Sequence, residues 1–229
     1  MRTRSRLAMP LRSAPVTKHH KKDRFTAVFF VPLCALTMCF WTACTQPTDQ
    51  TVPYQDAQTE WREGDIVFRR GTGLESHVVT TRSAAVYSHV GLLHYDSLNS
   101  EWQVVHAVPA EDEPEYLKAE PVSVFFSHER AEKGAWLRVD CSDSVAQAAV
   151  QYALGKVAQH VLFDNDYLLE DTTQIYCTEL VWRAYLTQSI DVSGAQRQTV
   201  PTLFSKEGEA IFPNDIEKSA TTLFINHLN

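Results

Sequence analysis

The stretch Tyr176-Cys177-Thr178-Glu179-Leu180-Val181-Trp182-Arg183-Ala184-Tyr185-Leu186-Thr187 holds no glycine or proline and places Leu180, Val181 and Ala184 at helical spacing. A helix is therefore expected from Cys177 to about Thr187, with those three residues facing the core. Cys177 would open it. A thiol at that position meets unpaired backbone N–H groups and the positive end of the helix dipole, which favour thiolate and lower the pKa. Thiolate is the nucleophilic form, and a nearby histidine completes its activation. A cysteine there is equally the small apolar residue of a core helix, and the helix alone does not decide between the two.

Working outward, a second helix is expected over Ser144 to Gln159, where Val145, Ala148, Ala149, Tyr152, Ala153 and Val157 recur at helical spacing and Ser142 or Asp143 can cap the start. The rest of the body before it reads as strand. Gly64-Asp65 is a turn leading into Ile66-Val67-Phe68, and Gly71 and Gly73 punctuate a loop. Val90 to Tyr95 and Trp102 to Val108 are strands joined by the turn-rich Asp96 to Glu101, which predicts a hairpin. Trp136 to Val139 is a further strand. After the Cys177 helix the chain reads as an irregular tail with Pro201 and Pro213. Segregated strands and helices predict an α+β domain over residues 61–229.

Two histidines fall where a thiol could use them. His89 stands at the mouth of the first hairpin strand, preceded by the small polar Ser88, and His106 lies in the second strand. In the register whose paired residue numbers sum to 197, His106 opposes Gly91 on the face that carries His89. A slip of one residue sends it to the other face, and the sequence leaves that register open. Joint metal ligation by His77, His89, His94 and His106 is not expected. His89 and His94 point to opposite faces of an extended strand, and no H-E-x-x-H spacing occurs, so His77 and His94 read as surface or loop residues.

Four blocks then occur in order: Gly64-Asp65-Ile66-Val67-Phe68, Ser88-His89-Val90-Gly91-Leu92, Val104-Val105-His106-Ala107-Val108 and Tyr176-Cys177-Thr178-Glu179-Leu180-Val181. Together they resemble the signature blocks of the circularly permuted NlpC/P60, papain-like hydrolases of the YaeF/YiiX type (GDI-F, SHVG, V-x-E-A and Y-C-S-E-L-V). The likeness runs from Trp61 to Tyr185, with echoes around Phe212 to Ile216. It implies a small antiparallel sheet packed against the nucleophile helix, with Cys177 as nucleophile, His89 as general base and His106 as the orienting third member. His106 departs from the permuted group, which usually has Glu there, though ordinary NlpC/P60 enzymes often use His. An imidazole can still hold the other ring's tautomer. Thr178 replaces the usual Ser. The resemblance further implies that Tyr176 and Ser88 line the oxyanion and substrate site with the Cys177 backbone N–H.

The activity so implied is hydrolysis through an acyl-enzyme, without metal or organic cofactor, of a peptide-, peptidoglycan- or lipid-derived amide or ester. Substrate choice would lie in the loops Gly71–Ser83, Ala110–Ala119 and Val161–Gln174. A competing reading is a non-catalytic envelope lipoprotein that uses the same fold to bind a partner or cell-wall fragment, its thiol unreactive, for example locked to Cys141. Both cysteines belong to the body, and an exported protein can join them in a disulfide. No C-x-x-C pair exists to suggest a zinc ribbon or redox motif.

The 229 residues carry a net charge of −7, unevenly spread. Residues 1–24 hold eight basic side chains against Asp23, leaving 13 basic and 27 acidic residues for the remainder. A body that acidic is repelled by phosphate backbones, which excludes nucleic-acid binding. Glu111, Asp112, Glu113 and Glu115 around Pro114 read as a solvated acidic loop. Phe25 to Ala43 is an apolar run behind the basic stretch, the layout of a secretory signal. It contains Cys34 and Cys39, and its end, Trp41-Thr42-Ala43-Cys44, resembles a lipobox that would place a lipid on Cys44. An uncleaved membrane anchor and a plain cleaved signal fit the same layout. Each version exports the body. The lipid-anchored one puts it on the periplasmic side of a bacterial membrane, the outer membrane favoured, with residues 1–44 as signal and 45–60 as a polar tether.

Overall fold

Strand alternation sorts the apolar side chains of this chain onto two faces of one sheet, and that sorting places the histidines. The computed structural model describes residues 51–109, 116–169, 171, 173–200 and 208–229. The signal segment with Cys34, Cys39 and Cys44, the start of the tether, the acidic loop at 111–115 and Pro201 lie outside the described residues.

In chain order the elements are β1 (Thr51–Val52), α1 (Tyr54–Ala57), β2 (Ile66–Arg70), α2 (Leu74–Ser83), β3 (His89–Asp96), β4 (Glu101–His106), β5 (Lys118–Pro121), α3 (Val122–Phe125) and β6 (Lys133–Val139). There follow α4 (Asp143–Ala158), α5 (Cys177–Leu186), β7 (Gln198–Val200), β8 (Gly208–Ala210), α6 (Pro213–Glu217) and β9 (Thr222–Leu228). The main sheet runs β1-β9-β6-β2-β3-β4-β5, antiparallel except for the β1–β9 pair. It is the α+β fold that the sequence implies.

Both faces of the sheet are buried. Ile66, Phe68, Val90, Leu92, Val105 and Leu137 pack with Ala149, Val150 and Ala153 of α4 and with Leu180, Val181 and Ala184 of α5. Val67, Leu93, Val104 and Trp136, each one residue out of phase, pack with Phe125 and Phe126 on the opposite side. Fully burying one such side chain contributes about 1.5–3 kcal/mol, so a register slip that exchanged the two sets would be heavily penalised.

The Gly64-Asp65 block has a covalent-geometry reason. Gly64 has φ +81°, and a Cβ there would meet Ala146 Cβ and the Tyr185 hydroxyl at 2.8 Å. Its carbonyl accepts the Tyr185 hydroxyl at 2.6 Å, tying α5 to the sheet. The buried Asp65 carboxylate accepts Trp136 Nε1–H at 2.8 Å and Arg138 Nε–H at 2.8 Å, joining the start of β2 to β6.

Several expected irregular segments are ordered. The tether reading ends early: Thr51 pairs with His227 and Val52 with Leu228, and the Tyr54 ring stacks on Phe126 at 5.4 Å, because an apolar residue beside an open strand edge has somewhere to go. Most of the Gly71–Ser83 loop is the helix α2, which begins after Gly73. Residues 118–121 add an edge strand to the hairpin. The tail returns as β9 to pair with both β1 and β6.

The hairpin register is the one that matters for the site. Leu92 pairs with Val105 and Tyr95 with Trp102, so the paired numbers sum to 197 and Gly91 faces His106. A Cβ at position 91 would lie 2.4 Å from Val104 Cγ1 and 3.0 Å from His106 Cβ. Gly91→Ala is therefore expected to destabilise the fold by about 1–3 kcal/mol through overpacking, measured by urea denaturation. An unchanged midpoint would show that the strands are not packed this closely.

Candidate active site

Cys177 is the first residue of α5, and its two neighbours hold it in place. Thr178 Oγ1 donates to the Ile211 carbonyl at 2.5 Å, and the Ile211 N–H donates to the Tyr176 hydroxyl at 2.9 Å. Both backbone groups of one residue are thereby clasped by the side chains flanking Cys177. Glu179, wholly buried two residues on, accepts the Tyr176 N–H at 3.3 Å and the Arg183 Nε–H at 2.6 Å, which fixes the helix start.

The thiol of Cys177 is hydrogen-bonded by the backbone N–H groups of Val90 and Thr178. Val90 is the neighbour of His89, so the helix terminus and the strand meet at the sulfur. The expected lowering of the thiol pKa does not occur. Burial pushes Cys177 up to about 11, against the pull of those N–H groups and of the Arg69 charge. His89 moves the other way: burial first, then the nearby Arg69 and His106, hold it well below its ordinary value of 6.5. At neutral pH the resting pair is thiol and neutral imidazole.

His89 Nε2 lies 2.7 Å from His106 Nδ1, and the two rings meet nearly edge-on with centroids 5.0 Å apart. That bond engages His89 Nε2 and leaves Nδ1 as the other nitrogen of the ring. Phe125 lies against both imidazoles, at 5.7 and 5.3 Å, and the Arg69 guanidinium sits 4.5 Å over the same ring while Nη1 donates to the Phe125 carbonyl. His106 has no exposed surface, and burial holds it down to about 4 despite the carboxylate of Glu120, whose Oε1 is 3.1 Å from His106 Nε2.

The structure thus brings Cys177, His89, Ser88 and Tyr176 to the wall of one cavity of about 490 Å³, with His106 directly behind His89. Ser88 and Tyr176 offer it less than expected. The Ser88 hydroxyl accepts the Gly71 N–H at 3.0 Å and the Ser76 hydroxyl at 2.5 Å, so it braces the β2–α2 loop. The Tyr176 hydroxyl is engaged by Ile211, which leaves its ring as the cavity-facing group. Two of the three loops expected to select substrate do line the cavity, through Thr72 and Val79 and through Phe163 and Tyr167. His94 pairs with Glu63 at 2.6 Å, and His77 is exposed on α2. Cys141 and Cys177 are both free thiols, so the disulfide that would be one way of silencing Cys177 is not formed. Arg69, Phe125, Glu120 and Ile211 were not readable as site residues, since only the pairing of distant strands puts them there.

The chain belongs to the permuted papain-like amidase enzymes, the YaeF/YiiX, C92 family, whose sequence profile matches residues 60–226. The match spans all four blocks and supports an amidase acting on an amide substrate. A solved structure, that of metalloprotein yiiX from Escherichia coli O157:H7, is similar with a TM-score of 0.59 at 20% sequence identity, covering 72% of this chain and 96% of that one. At that identity the likeness speaks to the fold. No curated protein matches the chain. Although yiiX is described as a metalloprotein, no three His, Cys, Asp or Glu side chains gather to hold a metal ion among the described residues of this chain.

The buried imidazoles set an acid limit on stability. A histidine whose folded pKa lies below its unfolded one contributes stability that is present above the unfolded value and lost as pH falls. For His106 the window runs from 6.5 down through about 4, and His89 acts in the same direction. The unfolding free energy is expected to fall across that window, less steeply in His106→Gln, as read by urea denaturation at stepped pH. Equal slopes for the two proteins would contradict the neutral burial of His106.

Proposed function

We propose that this protein is a thiol amidase in which Cys177 is the nucleophile, His89 the general base and acid, and His106 the residue that orients His89. The observation that carries the reading is the 2.7 Å bond between His89 Nε2 and His106 Nδ1, in a strand whose next residue, Val90, offers its N–H to the Cys177 sulfur.

Because the resting pair is neutral, the proton moves when substrate is attacked. The sulfur adds to the carbonyl carbon as the S–H proton passes to His89 Nδ1, and the carbonyl oxygen becomes an oxyanion beside the backbone N–H groups at the start of α5, which lack helical partners. Collapse breaks the C–N bond, and the departing amine takes the proton from His89. Water then attacks the thioester with His89 again as base, releasing the acid and restoring the thiol.

The substrate we favour is an amide, or an ester, of the cell envelope: a peptide-, peptidoglycan- or lipid-derived molecule. This rests on the export reading of residues 1–44, with the body tethered to the periplasmic side of the outer membrane through a lipid on Cys44. The mixed cavity wall, apolar at Phe163 and Ile211 and cationic at Arg69 and Arg130, supports a substrate with apolar and polar parts.

With the body from about residue 45, Cys177→Ala is expected to abolish turnover of any accepted amide. His89→Ala is expected to reduce it about 10²–10⁴-fold, the usual contribution of a positioned acid–base group. Cys177→Ala should retain the wild-type unfolding midpoint to within the error of a thermal melt, whereas His89→Ala, which leaves the buried His106 Nδ1 without its partner, should melt lower while still folding. Retained turnover by Cys177→Ala would overturn the mechanism.

A further inference from the structure

Behind His106 stands a carboxylate that no sequence block contains. The β4–β5 register pairs Val104 with Glu120 and His106 with Lys118, so Glu120 is the diagonal neighbour of His106 on the same face. Its two oxygens face different groups. Oε2 meets Lys118 Nζ at 3.2 Å and Arg130 Nη1 at 3.3 Å, while Oε1 lies 3.1 Å from His106 Nε2. Among the described residues neither His106 Nε2 nor Glu120 Oε1 has an aligned hydrogen-bond partner, and their 3.1 Å approach is a close contact that falls short of an aligned hydrogen bond. Two buried polar atoms with no other partner thus face each other at 3.1 Å.

We infer that Glu120 is a positioning residue that fixes the proton of His106 on Nε2 and so makes His89 a base at Nδ1. The reasoning is one of tautomers. A carboxylate can only accept, so the His106 nitrogen facing it carries the proton, and the neutral ring then has Nδ1 as its acceptor. His89 must therefore donate from Nε2, which leaves the lone pair on Nδ1. As His89 takes the thiol proton, its positive charge develops two hydrogen bonds from the Glu120 carboxylate. Phe125 shields both rings, and the cations facing this chain of groups are Lys118 and Arg130 at Glu120 and Arg69 near both imidazoles. Burial raises Glu120, but contacts with His106 and Lys118 outweigh it and hold the carboxyl down to about 2, so it is ionised at neutral pH. The inference rests on the assignment of Cys177 and His89 as the catalytic pair.

The test uses p-nitrophenyl acetate as a generic acyl donor, with acetylation of Cys177 followed by mass and by p-nitrophenolate release across pH, and ring ¹⁵N spectra of the histidines recorded alongside. Glu120→Gln keeps the shape and removes the charge. It is expected to slow acetylation about tenfold, part of the 10²–10⁴ that a general base supplies. It should also move the acid limb of the pH profile to lower pH, because His89 loses the carboxylate that favours its charged form. Glu120→Asp should recover part of the rate. A carboxylate that only anchors β5 would lower stability and leave the limb where it is; that result, or an unchanged rate, would overturn the inference. If wild-type Cys177 is not acetylated at all, the thiol-amidase reading fails on its own. The ring nitrogens still decide the tautomer: His106 protonated on Nε2 supports the role of Glu120, and protonation on Nδ1 overturns it.

Discussion

The hydrogen bond between His89 Nε2 and His106 Nδ1 is the interaction on which the rest of the site depends, and it exists only because β3 and β4 pair in one register. His89, Gly91 and Leu93 alternate onto one face, and Gly91, lacking a Cβ, lets the backbone of His106 come close enough for its ring to reach His89. The opposite face of the same strands carries Val90, Leu92 and Val105 into the core shared with α5. One alternation therefore does two things: it seats the helix that bears Cys177, and it points two imidazoles at one another behind the cavity wall. Moving the register by one residue would undo both together.

The protonation state of the pair follows from a contest of magnitudes. A helix N-terminus favours a thiolate by about 0.3–1 kcal/mol, and more when partly buried. Burial of Cys177 acts in the opposite sense and wins, raising the thiol to about 11. The same burial keeps His89 neutral. Both groups are therefore neutral at rest. Glu120, held by Lys118 and Arg130, places a carboxylate 3.1 Å from His106 Nε2.

Much of this is legible in the sequence, and the reasons for the remainder are physical. The Cys177 helix ends one residue from where its spacing predicts, and the hairpin appears with only its second strand shortened, to His106. These are local patterns with strong periodicity. The helix α2 escapes a sequence reading because Leu74 to Ser83 is largely polar and shows no clear apolar stripe, and β5 because Lys118-Ala119-Glu120-Pro121 looks nothing like a strand until it lies along β4. The site divides in the same way. Cys177, His89 and His106 stand in recognisable blocks, whereas Glu120, Arg69 and Phe125 acquire meaning only from strand pairings and side-chain stacking across the fold. The thiol pKa cannot be read either, since helix position is a local property and burial is a global one.

The most direct test of the account is the pH dependence of iodoacetamide labelling at Cys177, with Cys141 as internal reference and His89→Ala alongside, located by mass spectrometry. A neutral thiol–imidazole pair predicts no labelling plateau at acid pH. It also predicts a rate near neutrality above that of a thiol with a pKa of about 11, and the loss of that excess when His89 is removed. Identical profiles for wild type and His89→Ala over the whole range would contradict the pairing of Cys177 with His89.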